Sequence, residues 1–582
     1  MGRIWDDAKA VATRWRRWRR AAGHAAAARR ACALARPARL EGAVEPLALG
    51  DADAARRLAA GEVALRGAAL WTEGRSPFAP TPPTPAFRDA LHGFVWLDCV
   101  HAAAKPDRAV LAEWVFDWLR RHGGGGGPGW TPEIAGRRAA RLAAAAGLLA
   151  ADAPHRRRKR LAQTLRAHAL FLAARGALAE TALGRLEAAT GLALAALVDS
   201  GSGRLLTRGI ARLGAAAAET IDAQGAVASR NPDELAAAFE LLAWTAHALT
   251  EARRDADSRH LQALARAGPV LRALRLGDGS LARFHGGRGG ADVELDQAFA
   301  LAGRRGRGPR REEAMGYARL AAGGTVVVLD AAPPPPGPLG AASALGVEIS
   351  VGRRLMTGAI GCGARLGGEW AVAARATAAH CSLEVDGASC GRLAPEGFAA
   401  RTFGRPLGAG PRHVAAERLT DARGHWLRAS HDGYRERFGL IVARRLNLAA
   451  GGARLSGEDT AEAPDAEARQ RFDRAAREGG LPLVVRFHLP PEAQVEMLAD
   501  GAARVTLDAR ESWTLSAVAG ALKLEDSVWI APDAAAPARS CQLAIVGRAE
   551  AYWGRVAWRI ERAPQSPAPE PSLARALWAS QT

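Results

Sequence analysis

The residue pattern predicts an α+β multidomain protein, an N-terminal α/α toroid or helical bundle followed by a C-terminal large antiparallel β-sandwich. Two changes in periodicity carry that prediction. From about Asp51 to Leu301 apolar residues recur at helical spacing in an alanine- and leucine-rich background, as in LAEWVFDWLRR (Leu111–Arg121) and DELAAAFELLAWTAHALTEARR (Asp233–Arg254). From Tyr317 onward the period is two, as in LGVEISVG (Leu345–Gly352), LPLVVRFHLP (Leu481–Pro490) and SCQLAIVG (Ser540–Gly547). A chain of 582 residues is also too long for one ordinary core.

The segments follow in order. Residues 1–45 form a basic segment in which tryptophan and arginine alternate on a helical period, RWRRWRR at Arg14–Arg20. Such a helix can lie on an anionic membrane surface or pack on the next domain. Residues 46–305 carry the helices, separated by breakers at Gly123–Gly129, Ala151–Pro154 and Ser229–Pro232. In the last of these, Asn231 is placed to cap a helix that opens with Pro232. Gly303–Arg311 is the expected hinge, 312–563 the sandwich, and 564–582 a Pro-rich extended tail.

Composition narrows the function. The formal charge of +19 invites a polyanion partner. Lysine, however, stands only at Lys9, Lys105, Lys159 and Lys523 in a chain saturated with Ala, Gly and Pro. That is the signature of a GC-rich coding sequence, so no specific nucleic acid is expected. No glycine loop of nucleotide-binding type follows a strand, and the six cysteines show no zinc-knuckle spacing. No apolar run is long enough to span a bilayer, and no secretory signal is visible at the N-terminus. These readings favour the cytoplasm.

The segment Arg375–Ser389, RATAAHCSLEVDGAS, delivers His380 to the start of a short alternating strand that ends in a D-G turn. Imidazole is the side chain best suited to proton transfer or metal ligation near neutral pH. Helices first, then a β-sandwich with this A-A-H-x-S-L strand, resemble the heparinase II/III-like polysaccharide lyases. FRDALHGFVWL (Phe87–Leu97), ASRNP (Ala228–Pro232), GDGSLARFHG (Gly277–Gly286), GYARL (Gly316–Leu320), VEISVG (Val347–Gly352), SHDGYRERFGL (Ser430–Leu440) and VRFHL (Val485–Leu489) are similar in the same order, as in alphaproteobacterial members.

The resemblance implies an incomplete α/α barrel, β-elimination on a uronate-containing acidic glycan, and a setting in the periplasm or cell envelope. That chemistry needs a carboxylate-neutralising partner, a base, and a phenol or imidazole as acid. It also implies a structural metal site in the sandwich. Several matching positions depart from the family pattern. Val227 stands for the toroid histidine, Ala341 for a sandwich histidine, Gly361 in the strand that would supply the metal aspartate, and Val442 for a further histidine. Of that metal set only His380 remains, so the metal site is expected to be lost and no cofactor is assigned.

Candidate proton-transfer residues are therefore His380, His431, Tyr434 and His285, with Arg230 and Asn231 as carboxylate binders at a helix N-terminus. Asp432 could orient His431, and Tyr434 could serve as acid. Each has a bland alternative: a strand-end histidine, a packed D-G turn, a helix cap. His92, among apolar residues, reads as a satisfied core histidine, and Tyr317 as packing. Tyrosine occurs only at Tyr317, Tyr434 and Tyr552, so the toroid offers no phenol. The expectation is a carbon–oxygen lyase of doubtful competence, or else a non-catalytic acidic-glycan-binding or envelope-associated protein. The N-terminal helix adds peripheral contact with an anionic membrane.

Overall fold

The computed structural model describes residues 2–35, 39–73, 75–290, 293–306, 308, 311–476 and 479–563. The tail from 564 onward, and parts of the expected hinge, lie outside them. The helical half consists of α1 (Gly2–Leu34), α2 (Ala52–Ala59), α3 (Pro85–His92), α4 (Lys105–His122), α5 (Pro132–Ala151) and α6 (His155–Arg175). It continues through α7 (Ala182–Leu197), α8 (Gly203–Thr220), α9 (Pro232–Glu251), α10 (Ser258–Leu274) and α11 (Val293–Ala302). Helix α7 is central, packing on α5, α6, α8 and α9, while α10 packs on α8 and α9 and α11 packs on α9.

The Ala/Gly composition has a packing consequence. A Cβ on Gly191 of α7 would lie 2.3 Å from the Gly136 carbonyl oxygen of α5, so the two helices touch backbone to backbone. Asn231 caps α9 as its sequence predicts: its Oδ1 accepts the Asp233 N–H at 2.9 Å, and Pro232 opens the helix.

A hairpin that the helical reading of the region did not anticipate interrupts it. Strands Glu62–Leu65 and Ala68–Trp71 pair antiparallel across Arg66 and Gly67, both left-handed with φ of 55° and 75°. The strands are four residues each and half exposed, too short and weakly patterned to register as a period.

The C-terminal half contains two antiparallel sheets. The smaller is a five-stranded meander, Glu313–Ala314, Tyr317–Ala322, Thr325–Asp330, Val347–Val351 and Arg354–Thr357. The larger has twelve strands and includes the hairpins 424–449 and 440–462 as well as the returning strand Trp553–Arg562. One apolar core lies between the sheets.

Strand Thr325–Asp330 is buried on both faces. Val327 and Leu329 enter the inter-sheet core, while Val326 and Val328 enter the core of helices α8–α11. The small sheet is thus a middle layer, toroid on one side and large sheet on the other, which is why this strand reads as a continuous apolar run.

Helix α1 straddles the two halves. It packs on α6 and on the short helix Phe398–Phe403 of the sandwich. Arg17 Nη1 donates to the Thr402 carbonyl at 3.2 Å, and the Arg14 guanidinium lies 5.4 Å from the Phe398 ring centroid. Of its two anticipated uses, docking on the next domain is present.

Candidate functional site

Asp330 ends the doubly buried strand at the junction of toroid and sandwich, and is itself fully buried. Ser343 Oγ donates to its Oδ2 at 2.7 Å, and Arg230 Nη2 donates to its Oδ1 at 2.5 Å. These partners hold its carboxyl well below the usual carboxylate range despite burial. Arg230, in the left-handed region just before α9, has no N–H to spare. Nε bonds the Met315 carbonyl, Nη1 those of Ala332 and Pro333, and Nη2 that of Gly316 besides Asp330. Its guanidinium also stacks 4.6 Å from the Tyr317 ring centroid, and Tyr317 Oη donates to the Arg230 carbonyl at 2.5 Å. Arg230 fastens the two domains, where the sequence reading placed a carboxylate binder. Asn231 is engaged as a cap.

His285, also left-handed at φ 51°, accepts the Ala341 N–H on Nδ1 at 3.2 Å. That leaves the proton on Nε2, which lies 3.2 Å from Asp330 Oδ2 without hydrogen-bond alignment. Burial lowers its pKa even beside that carboxylate.

His380 follows the 3₁₀ turn Thr377–Ala379 and begins extended chain, as predicted, with the turn completed by Asp386 and Gly387 at φ 50° and 65°. It is 2 % exposed, and neither ring nitrogen has a partner in good hydrogen-bond geometry, although the Ala374 backbone interacts with the ring. Burial, reinforced by His285, pushes its pKa down to about 3. His488, from the VRFHL segment, is anchored by Ser527 at 2.8 Å on Nδ1 and the Ala378 carbonyl at 2.7 Å on Nε2.

At residues 431–434 the rings of His431 and Tyr434 are neighbours, with centroids 5.7 Å apart, but Asp432 turns away from the imidazole. Asp432 accepts the backbone N–H groups of Arg412 and His413 at 2.8 and 3.1 Å and does not hold His431. His431 Nδ1 accepts the Gly433 N–H at 3.0 Å, and burial lowers the ring's pKa to about 4. Tyr434 Oη lies 2.9 and 3.0 Å from the carbonyls of Leu383 and Ala388, and burial raises its pKa well above the phenol range. His92 is the satisfied core histidine it reads as, accepting Trp118 Nε1–H at 3.0 Å.

Fold geometry unites what the alignment of motifs separated. Ala341, Gly361 and His380, three positions that the family resemblance led us to compare with a metal set, line one cavity of about 20 Å³ with Arg283, His285 and Arg375. The fit to a zinc ion fails. Among the described residues no group of three or more His, Cys, Asp or Glu is placed to hold a metal. Gly361 cannot regain a side chain: φ is 111°, and a Cβ would lie 2.3 Å from the Ile530 carbonyl oxygen. Val227 lies elsewhere, in the toroid core, and Val442 sits opposite His431 in the large sheet.

A larger cleft of about 880 Å³ opens between the toroid, the hairpin at Arg66 and the sandwich loop at Asp533. A Cβ on Gly67 would meet the Ala534 carbonyl at 2.7 Å, so the hairpin tip touches that loop. Arg66, Arg141 and Arg288 line the cleft with a larger number of acids, Asp51, Asp98, Glu240, Glu294 and Asp533. Arg141 bonds Asp98 at 2.8 Å, and Arg288 contacts Asp233 and Asp533 at 3.2 and 3.4 Å. Burial and the neighbouring Arg365 and Arg288 lower the Arg66 pKa to about 10. No histidine or tyrosine stands among the described lining residues. Sequence reasoning missed Arg66, Asp330, Arg283 and Arg444. The last is a fully buried arginine bidentate to Asp459 at 2.6 and 3.0 Å.

A helical toroid, an antiparallel sandwich and a cleft between them define a protein of polysaccharide-lyase architecture. Residues 304–559 match the model of the heparinase II/III-like C-terminal domain. FtsZ-localized protein C of Caulobacter vibrioides is 33% identical over 460 residues, covering 77% of each chain. The chain therefore belongs to the heparinase II/III-like family. Among solved structures, heparinase III superposes with a TM-score of 0.63 at 11% identity, over 90% of this chain and 88% of that one. A mutant of heparan sulfate lyase HepC from Pedobacter heparinus gives 0.56 at 16% identity, over 89% and 84%. Both likenesses are of fold.

Proposed function

We propose that this chain is a non-catalytic member of the lyase fold that binds acidic oligosaccharide in its interdomain cleft and works at the division site. The observation that carries the first part is the cleft lining, which offers arginines but neither imidazole nor phenol among the described residues. Elimination needs a base at the uronate C5 and an acid at the leaving oxygen. The candidates for those roles, His285, His380, His431 and Tyr434, are buried, and His285, His431 and Tyr434 bond to backbone groups. Arg141 and Arg288 are held by acids, so within this lining it is Arg66 that suits a carboxylate-bearing sugar. Heparinase III and heparan sulfate lyase, whose fold is shared, carry glycan names of the matching kind. The placement at the division site is our reading of the Caulobacter relative's name, which says that it localizes with FtsZ.

A second observation supports attachment to a membrane surface. Val11, Trp15 and Trp18 follow one face of α1 and are 59%, 56% and 68% exposed, flanked by Arg14 and Arg19. A basic helix with exposed tryptophans suits the anionic cytoplasmic leaflet. No described helix is long and apolar enough to cross a membrane.

The test is to incubate the purified chain with a panel of uronate oligosaccharides. Binding by calorimetry without new ultraviolet-absorbing unsaturated ends is expected; such ends on any substrate would overturn the non-catalytic reading. A fluorescent fusion of the full chain in Caulobacter vibrioides should gather at midcell with FtsZ, and diffuse fluorescence would remove that part.

A further inference from the structure

The cavity around His380 poses its own question. Both ring nitrogens of His380, Nη2 of Arg283 and Nη2 of Arg375 are buried without a hydrogen-bond partner in good geometry, although all three residues line the same small space. Buried polar atoms are almost always satisfied, so a cluster of orphans around one cavity marks a missing guest. Its volume of about 20 Å³ admits a single small guest. The lining carries two guanidinium groups and two imidazoles but no carboxylate.

The nearest counter-charges are already engaged. Glu348 lies 3.7 Å from Arg283 Nε and accepts the N–H groups of Arg283 and Ala359 at 3.0 and 3.1 Å. Asp330 is held by Arg230 and Ser343. Arg375 uses Nε and Nη1 on the carbonyls of Gly340 and Arg405, which satisfy its donors but bring no charge to it. Arg283 is compensated by Glu348 and stacks 3.8 Å from the Trp529 ring centroid, so the charge without a counter-charge is that of Arg375. The set remains rich in donors, the opposite of what a metal cation requires.

We propose that this cavity is a binding site for one chloride-sized monovalent anion. The anion is held by the guanidinium groups of Arg283 and Arg375 and by one N–H of His380. The small residues Ala341 and Gly361 leave the room that it fills. The site joins the turn Phe284–Gly287 to the loops of the sandwich, so the anion takes a structural role. This inference is independent of the proposed function.

The experiment uses the full purified chain. Thermal unfolding is compared in sodium chloride, bromide and gluconate at equal ionic strength. A ligand that binds only the folded state raises the midpoint progressively with its concentration. The midpoint is expected to rise with chloride or bromide and not with gluconate, and Arg375→Gln should remove the difference. Crystals grown in bromide should show an anomalous peak inside the cavity, a readout that needs no variant to fold. A water there while surface bromides are occupied would overturn the proposal, as would identical midpoints in the three salts. So would one equivalent of zinc retained after dialysis.

Discussion

Arg230 Nη2 and Asp330 Oδ1 meet at 2.5 Å across the domain junction, one hundred residues apart in the chain, with the arginine's other donors bonded to carbonyls of the sandwich. A helix-entry residue of the toroid thereby closes onto the end of the middle-layer strand. Removing one partner strands the other as a buried charge.

Arg230→Leu should accordingly lower unfolding stability by about 3–5 kcal/mol. Arg230→Leu with Asp330→Asn should be less damaging than the sum of the single changes. Chemical denaturation of the four proteins of the cycle checks both statements, and strict additivity would count against the coupling. Arg230→Lys should rescue little, because a single ammonium cannot serve five directions.

The toroid has a second buried arginine without an acid. Arg138 donates to His168 Nε2 at 2.9 Å and to the carbonyls of His92 and Gly129 at 2.6 and 2.9 Å, with its guanidinium 4.0 Å from the Trp118 ring centroid. Burial, with Arg138 adding, lowers the pKa of His92 to about 3, below its unfolded value of 6.5. Its neutral form therefore contributes stability in full above about pH 6.5, and that contribution is lost as the pH falls toward 3. Tryptophan fluorescence should report acid destabilisation of the toroid in this window. His92→Gln, which keeps an acceptor for Trp118 but cannot titrate, should flatten the slope.

Ala341→His should not recover zinc binding, although it would add a third imidazole to the cavity that His285 and His380 already line. Gly361, in the strand where the resemblance implies a carboxylate, is closed to any side chain by its φ of 111° and by Ile530. Gly361→Asp itself should destabilise the fold by more than about 1–3 kcal/mol, since backbone strain and a clash add. Elemental analysis after dialysis and thermal unfolding are the readouts.

Trp15→Ser with Trp18→Ser should leave stability within about 0.5 kcal/mol, because both side chains are mostly exposed. The same double change should abolish most retention on vesicles containing phosphatidylserine. Unchanged sedimentation with such vesicles would remove the membrane reading of α1.

Arg66→Glu should weaken oligosaccharide binding at least tenfold and reduce its salt dependence, without altering the unfolding midpoint by more than a degree or two. Arg66 forms no hydrogen bond or ion pair at contact distance among the described residues, so its charge is available to a ligand. Equal affinity in the two proteins would place the ligand outside the cleft.

Much of the architecture is legible in the residue order because periodicity is local. Helical spacing to Leu301 and alternation after Tyr317 follow from how each backbone presents side chains to a core, whatever lies opposite. Caps such as Asn231–Pro232 and the Asp386–Gly387 turn are legible for the same reason. The hairpin at Arg66 escaped because four-residue strands carry almost no period. The double burial of Thr325–Asp330 shows only as apolarity, which does not say what covers each face.

The site divides along the same line. The motifs by themselves pointed to the heparinase II/III-like family and to Ala341 and Gly361 at positions where the resemblance implies partners for His380. Only the tertiary structure decided that those positions fall around one cavity, and that Arg283 and Arg375 line it. It likewise turned Arg230 from a presumed carboxylate binder into a domain fastener, and left the cleft without imidazole or phenol among its described lining. The reason is physical: a side chain's identity is local, but its partners, and hence its charge state and its availability, come from segments a hundred residues away.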